Sequence, residues 1–374
     1  MRILIASGIF LPEIGGPATY ADKIARDFLA LGQQVEVITY SDSNTANLAF
    51  DKELPYLVQR IKRTNQILNY WRYFLAILKR ANSVDIIYTF DHSSAGLPVM
   101  LANFFLRKTC YIRIGGDYLW ESYLEKTGQS VTLPEFYEQN LHRKFNNFKF
   151  KISRLILARA QGLIFTTQYQ AQIFSKYYNL DTKKIFVISN PIIIADKIER
   201  KNINKDIIFA GRFVHKNNIF NLLKAWQQVD DKSYHLHLIG AGPLLPKLVA
   251  LVKSKNITNI NIEDRISPEA LRQKLATSYL AVFPSLSDIS PNTMLDCLSL
   301  GLPFISSQEI GFTWLKDKII TFDPKDSQEM AKQINFLLDP VNYEAYQIKI
   351  NQIDYSYTYQ QAAQDTLNIF KSSL

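Results

Sequence analysis

The order of apolar and amphipathic segments predicts an α/β protein built as two doubly wound domains. Three observations carry this expectation. Short runs rich in β-branched residues alternate with helix-like segments along the whole chain, and such alternation builds largely parallel sheets. The runs fall into two series separated by "ISNPIIIADKIERKNINKD" at 188–206, an Asn-Pro turn followed by a polar stretch that reads as a linker. The 374 residues, 47% of them hydrophobic, supply enough apolar surface for two cores.

Taken in order, the first series is "RILIAS", "QVEVITY", "VDIIYTF", "CYIRI" and "GLIFTT". The second is "DIIFAG", "YHLHLIG", "TNINIE", "YLAVFPS", "PFISS" and "KIITF". Their apolar character fits sheets covered on both faces. The boundary is expected near residue 195, giving an N-terminal domain of residues 1–195 and a C-terminal domain of residues 196–354. The tail "YSYTYQQAAQDTLNIFKSSL" (355–374) reads as an amphipathic helix that rejoins the first. Two such domains are expected to face each other across a cleft, with ligands at the carboxyl ends of the strands.

Composition narrows the function. Cys110 and Cys297 lie far apart and have no paired-ligand spacing, which argues against a disulfide framework and a structural zinc site and for a reducing, cytoplasmic setting. The opening apolar run meets Pro12 and Glu13 where a secretory leader needs small residues, so it is expected to be a buried strand. No apolar run approaches the roughly 20 residues that span a bilayer. The net charge of +9 is uneven: residues 1–195 carry 23 Lys and Arg against 15 Asp and Glu, and the remainder 20 against 19. Within the basic half, "NLHRKFNNFKFKISRLILARA" (140–160) and "QRIKRTNQILNYWRYFLAILKR" (59–80) read as helices mixing cations with aromatic residues. Such helices suit an anionic membrane surface or an anionic acceptor, and a solvated face is the competing explanation. A peripheral protein on the inner face of the cell membrane is the expectation, and nothing points to nucleic acid.

The chemistry-bearing motifs sit at strand ends. After the first strand, Gly15 and Gly16 allow close approach of backbone to a ligand, and Pro17 opens a helix. In "YTFDHSSAGLP" and "CYIRIGGDYLWE", Asp91, His92, Asp117 and Glu121 follow strands and could position an acceptor hydroxyl or take its proton. "IIFAGRFVHKNN" places Arg212 and Lys216 between a strand and a helix, where two cations and helix amides would hold a diphosphate. "LIGAGP" contributes a turn at Gly240. In "FPSLSDISPNTMLDCLSLGLP", Ser290 suits an N-cap and Pro291 the first helical position, with Gly301 closing the helix. Asp288 then lies before the helix and Asp296 one to two turns inside it. The amides of Asn292, Thr293 and Met294 would form an anion site between the two carboxylates.

These stretches together resemble the retaining glycosyltransferases of glycosyltransferase family 4, which have the two-Rossmann GT-B fold. The likeness runs over nearly the whole chain and is most specific in "PSLSDISPNTMLDCLSLGLP", where Asp288 and Asp296 take the places of the family's two glutamates. By this resemblance Asp288 would contact the donor sugar beside the diphosphate and Asp296 the ribose hydroxyls. The backbone of Ser290, Pro291, Asn292 and Thr293 would cradle phosphate, with Gly240 and Ile266 also on the donor side. Arg212 and Lys216 would neutralise the leaving diphosphate, and Gly16 would approach it from the other domain. Asn217 aligns with the family's lysine without gaps, and Lys216 stands one residue early. The resemblance implies metal-independent transfer of a hexosyl group from a nucleotide-sugar to a glycan or lipid-linked acceptor, with retention, in the synthesis of cell-surface polysaccharide or glycolipid. No cofactor and no metal are expected, and an Asp-x-Asp motif is absent from the sequence. Two rivals stand beside it, a sugar-nucleotide epimerase on the same fold and a binding subunit without turnover.

Overall fold

The structure, a computed structural model, describes residues 1–13, 15–42, 46–192 and 200–372. Most of the expected linker, residues 193–199, lies outside the described residues. The chain forms two units. One comprises residues 1–118, 146–191 and 357–374, and the other residues 119–145 and 192–356.

Unit 1 holds a seven-stranded sheet built from β1 (Arg2–Ser7), β2 (Gln34–Ser41), β3 (Leu57–Lys62), β4 (Ile86–Phe90), β5 (Thr109–Ile114), β6 (Gly162–Phe165) and β7 (Ile185–Val187). The strand order is β3-β2-β1-β4-β5-β6-β7, and every pairing is parallel. Unit 2 repeats the plan with β8 (Asp206–Ala210), β9 (His235–Ile239), β10 (Ile260–Glu263), β11 (Leu280–Phe283), β12 (Phe304–Ser307) and β13 (Ile320–Phe322). Their order is β10-β9-β8-β11-β12-β13. In each sheet the strand order reverses beside the first strand, so β1/β4 and β8/β11 are the switch points where α/β sheets bind ligands. The central strands are buried throughout, β4 and β11 at every residue, which explains their continuous apolar runs.

Several expectations need correction. Residues 119–145 belong to unit 2 and not to the first domain. The stretch 59–80 is not one helix: "LVQRIK" forms edge strand β3, where cations are tolerated because one side of the strand is unpaired. The helix begins at Gln66, with the Asn65 side chain accepting from the Leu68 amide at 2.9 Å, and runs to Arg80. The segment Leu141–Arg159 is broken at Asn146, whose φ of −157° and ψ of 77° are not helical. Its rings do not share an outer face. Phe145 packs edge-on against Tyr123 at 5.4 Å, Phe150 is buried on Tyr178 at 4.7 Å, and Phe148 is exposed.

The C-terminal helix Tyr359–Lys371 starts with a capping box between Thr358 and Gln361 and closes the unit 1 core. Phe370, fully buried, meets Tyr111 at 4.7 Å, Tyr88 at 5.3 Å and Phe28 at 6.2 Å. The Tyr111 hydroxyl donates to the Ile369 carbonyl at 3.1 Å. Phe370→Ala should therefore destabilise unit 1 by about 4 kcal/mol, the usual cost of a buried ring and the cavity it leaves. Denaturant unfolding followed by unit 1 amide exchange checks this, and unchanged protection there would contradict the packing account.

Candidate functional site

The site in unit 2 is assembled from the loops that follow its strands. At the end of β8, Gly211 donates its amide to Ile239 at 3.0 Å, and Phe213 donates to Ala241 at 2.8 Å. These bonds press the β8 turn against the β9 turn so tightly that a Cβ on Gly240 would lie 1.9 Å from the Gly211 oxygen. Only glycine fits there. Asn218 adopts the left-handed conformation, and its side-chain amide ties the carbonyls of Pro284 at 3.0 Å and Pro324 at 2.6 Å. Asn217 bends back to donate to the Arg212 carbonyl at 2.6 Å, and the Lys216 carbonyl accepts from Leu286 at 2.8 Å.

The loop so fixed aims two cations at one carboxylate. Lys216 Nζ lies 2.9 Å from Glu121 Oε1, and Arg212 Nη2 lies 3.3 Å from Glu121 Oε2. Glu121 comes from the helix Tyr118–Thr127, in which Glu125 also accepts from the His215 amide at 2.7 Å. Burial works against ionisation of Glu121, but the charges and hydrogen bonds of Lys216 and Arg212 overcome it and hold the carboxyl below its ordinary range.

Asp288 lies at the same edge. It is held by backbone: its amide donates to Glu309 at 2.8 Å and its carbonyl accepts from Gly311 at 2.8 Å, forming a single parallel bridge beside Ile310. A Cβ on Gly311 would stand 1.9 Å from the Ile289 oxygen, so glycine is required for this approach. Burial pushes the Asp288 carboxyl up; Lys216 and a Ser285 hydroxyl at 3.4 Å oppose the rise, and the Glu121 charge adds to it. Two neighbouring carboxyls are thus driven in opposite directions, a pattern that clusters at functional sites.

The helix that follows runs Asn292–Leu300. Pro291 is its N-cap with ψ of 100°, not its first helical residue, and Ser290 is not the cap. The Met294 amide is turned back to the Pro291 carbonyl at 3.2 Å, which removes it from the expected set of ligand donors. The buried Ser290 hydroxyl has no partner among the described residues. Thr293 and Asn292 occupy the first helical turn as expected. Asp296, expected at the ribose, is paired through Oδ1 with Arg272 at 2.9 Å. Among the described residues nothing donates to Oδ2. Burial pushes the Asp296 carboxyl up, against the pull of Arg272. Ile266 packs on the unit 2 core between β10 and the helix Pro268–Thr277.

Other expected residues belong to unit 1. Gly15 precedes the helix Gly16–Ala30 in extended backbone. His92 is buried with its ring edge-on to Phe174 at 6.2 Å, and burial lowers its pKa while Asp91 opposes the shift. Asp91 spends its carboxylate as a turn acceptor for the amides of Ser93 at 2.7 Å and Ser94 at 2.6 Å. Asp117 is buried at the end of β5. Glu121, expected beside Asp117 on the acceptor side, instead pairs with Arg212 and Lys216 within unit 2. Arg272 was not expected at all: its helix pattern is that of an ordinary amphipathic segment, and no local signal marks it. Among the described residues no group of three or more His, Cys, Asp or Glu gathers to hold a metal ion.

Residues 14–195 match the family described as Glycosyltransferase Family 4, and residues 204–340 that described as Glycosyl transferases group 1. The chain belongs to these glycosyltransferases and has their GT-B type of fold, two parallel-sheet Rossmann-like domains. It is 27% identical over 188 residues to an uncharacterised glycosyltransferase, MJ1059, of Methanocaldococcus jannaschii; the match spans 46% of this chain and 45% of that protein. Among solved structures it is similar to Anabaena Alr3699/HepE in complex with UDP-glucose, with 16% identity, a TM-score of 0.78 and full coverage of both chains. It is also similar to the sucrose-phosphate synthase tll1590 of Thermosynechococcus elongatus, with 15% identity, a TM-score of 0.79 and coverage of 100% and 98%. At these identities the likeness shows the fold.

The opposed carboxyl shifts have a measurable consequence. A carboxyl raised in the folded state loses stability for the protein as pH rises through the interval above its ordinary value of 3.8. Asp288→Asn should therefore raise the melting temperature at neutral pH, and the gain should vanish in acid, where the carboxyl is protonated in both states. A melting temperature lowered at neutral pH would contradict the raised carboxyl. Asp296→Ala should act the other way, costing about 3 kcal/mol because it leaves the buried Arg272 without a counter-charge. Urea titration measures that cost, and an unchanged midpoint would show that the pair is not structural.

Proposed function

We propose that the chain transfers a hexosyl group from a nucleotide-sugar to a glycan or lipid-linked acceptor with retention of anomeric configuration. The observation that carries this reading is the pair Arg212 and Lys216 beside Asp288 and the tip of the helix Asn292–Leu300. When the bond from the anomeric carbon to the diphosphate breaks, negative charge gathers on the departing oxygens. Two fixed cations and first-turn amides stabilise that charge more than they stabilise the bound donor. In this reading they do so without a metal ion. A diphosphate brings more negative charge than Glu121 and competes with it for both cations.

Asp288 suits contact with the sugar. Its raised pKa makes it a ready hydrogen-bond partner for hydroxyls on either side of its titration, and Ser285 fixes its orientation. In this reading Asp296 Oδ2 accepts from a ribose hydroxyl. The acceptor oxygen forms the new bond to the anomeric carbon and loses its proton to a base. Alr3699/HepE is described with UDP, glucose and UDP-glucose, which supports a UDP-sugar as the donor. Synthesis of a cell-surface polysaccharide or glycolipid is the setting that fits such a reaction.

Arg212→Ala tests the assignment. With UDP-glucose as donor and water or a synthetic glycolipid as acceptor, kcat should fall by about a hundredfold while the donor KM changes far less. Turnover at saturation equal to the wild type would remove Arg212 from the transition state. Proton NMR of the first-formed product reads the anomeric outcome, and inversion would contradict retention.

A further inference from the structure

Two helices of unit 1 carry an apolar surface that no part of the described chain covers. Helix Gln66–Arg80 packs beside helix Gly96–Leu106, and their outer faces meet. On the first, Ile67, Trp71, Phe74, Leu75 and Leu78 recur at the spacing of one helical face. On the second, Leu101, Phe104 and Phe105 point outward. The rings run together: Trp71 stacks on Phe74 at 5.4 Å, Phe74 meets Phe105 edge-on at 6.3 Å, and Phe105 meets Phe104 at 5.4 Å. Yet Ile67 is 81% exposed, Trp71 58%, and Phe104 and Phe105 68% each. Seven large apolar side chains exposed on two adjoining helices are far more than the scattered single residues of an ordinary surface.

Charge identifies what covers this surface. Residues 62–84 contain Lys62, Arg63, Arg72, Lys79 and Arg80 and no acid; residues 92–116 contain Arg107, Lys108 and Arg113 and no acid. Arg72 and Lys79 flank the apolar stripe on its own helix. Arg107 and Lys108 are fixed at the end of the second helix, where Asn103 bonds to both the amide and the carbonyl of Lys108 at 2.8 Å. Among the described residues no carboxylate pairs with Arg72, Lys79, Arg107 or Lys108. Exposed rings with a rim of cations complement the headgroup layer of an anionic bilayer. No helix among the described residues is long and apolar enough to cross a membrane, so such contact lies in the interface plane.

A cavity of about 500 Å³ adjoins the same helix, lined by Gln66, Asn69, Tyr70, Tyr40, Arg63 and Ser94 among others. Gln66, Asn69 and Tyr70 lie on the flank next to the apolar stripe, one step round the helix from Ile67 and Trp71. We infer that the joined outer faces of Gln66–Arg80 and Gly96–Leu106 dock unit 1 on an anionic lipid bilayer, with the adjoining cavity taking part of a membrane-borne acceptor. The docking surface stands on unit 1 alone; the acceptor role of the cavity rests on the transferase reading. This moves the membrane contact away from residues 140–160, whose rings turn inward at Phe145 and Phe150.

The test is co-sedimentation of the full chain with vesicles of equal parts phosphatidylcholine and phosphatidylglycerol, and with phosphatidylcholine alone. The chain should pellet with the anionic vesicles and be released at about 1 M salt, where screening acts within roughly 3 Å. Lys79→Gln and Arg107→Gln should each lower partitioning by about fivefold. Joint replacement of Trp71, Phe104 and Phe105 by Ser should lower it by more than tenfold, on the order of the apolar contribution of such faces. Lys144→Gln with Lys151→Gln should leave it unchanged. Circular dichroism and UDP titration without vesicles keep a folding defect, or a failed donor site, apart from lost docking. A chain that stays in the supernatant with anionic vesicles at low salt overturns the inference. So does binding that depends on Lys144 and Lys151 but not on the rings. Self-association in sedimentation velocity, abolished by the ring replacements, would overturn it in favour of a second copy.

Discussion

The pairing of Arg212 and Lys216 with Glu121 is the constraint on which the unit 2 site depends. Two cations at contact distance from one partly buried carboxylate hold it ionised against the cost of burial. The same Lys216 tempers the rise of Asp288, so three groups share one field and a change at any of them moves the others. The surrounding backbone exists to keep that field fixed. Gly240 and Gly311 allow turns to pass within atomic contact, and Asn218 gathers two carbonyls that would otherwise splay the loop. Preorganisation of this kind lets charges act on a transition state without paying reorganisation at the moment of reaction.

Unit 1 answers different demands. Its sheet is closed by a helix from the far end of the chain, and Phe370 sits in an aromatic cluster with Tyr88, Tyr111 and Phe28. With that side sealed, the helices Gln66–Arg80 and Gly96–Leu106 are free to present rings and cations outward. Unit 2 thus holds the paired cations Arg212 and Lys216, and unit 1 the exposed rings.

The fold was largely legible because parallel strands buried on both faces write themselves as continuous β-branched runs, as in "DIIYTF" and "YLAVFP". The two strands that went unread, β3 and β7, are edges, where mixed polarity and short length erase the pattern. The positions of Asp288, Arg212 and Lys216 after strand ends were legible. Lys216 faces Glu121 although Asn217 aligns with the family's lysine, because Asn217 is consumed in closing its own loop. The Arg272 to Asp296 pair and the reach of Glu121 toward β8 are contacts between residues 24 and 91 or more positions apart, set by tertiary packing that no local spacing encodes. The kink at Asn146 falls in "FNNF", whose two asparagines are weak helix formers, and it redirects the rings that made 140–160 look like one amphipathic face.

The account's central claim is that Arg212 and Lys216 form a diphosphate site. Calorimetric titration of the chain with UDP, GDP and ADP, each against its parent nucleoside, tests it most directly. One nucleoside diphosphate should bind, its nucleoside should bind at least a hundredfold more weakly, and Lys216→Gln should erase most of that difference, in keeping with the strength of charge-assisted contacts. Equal affinity for diphosphate and nucleoside, or a preference untouched by Lys216→Gln, would contradict it.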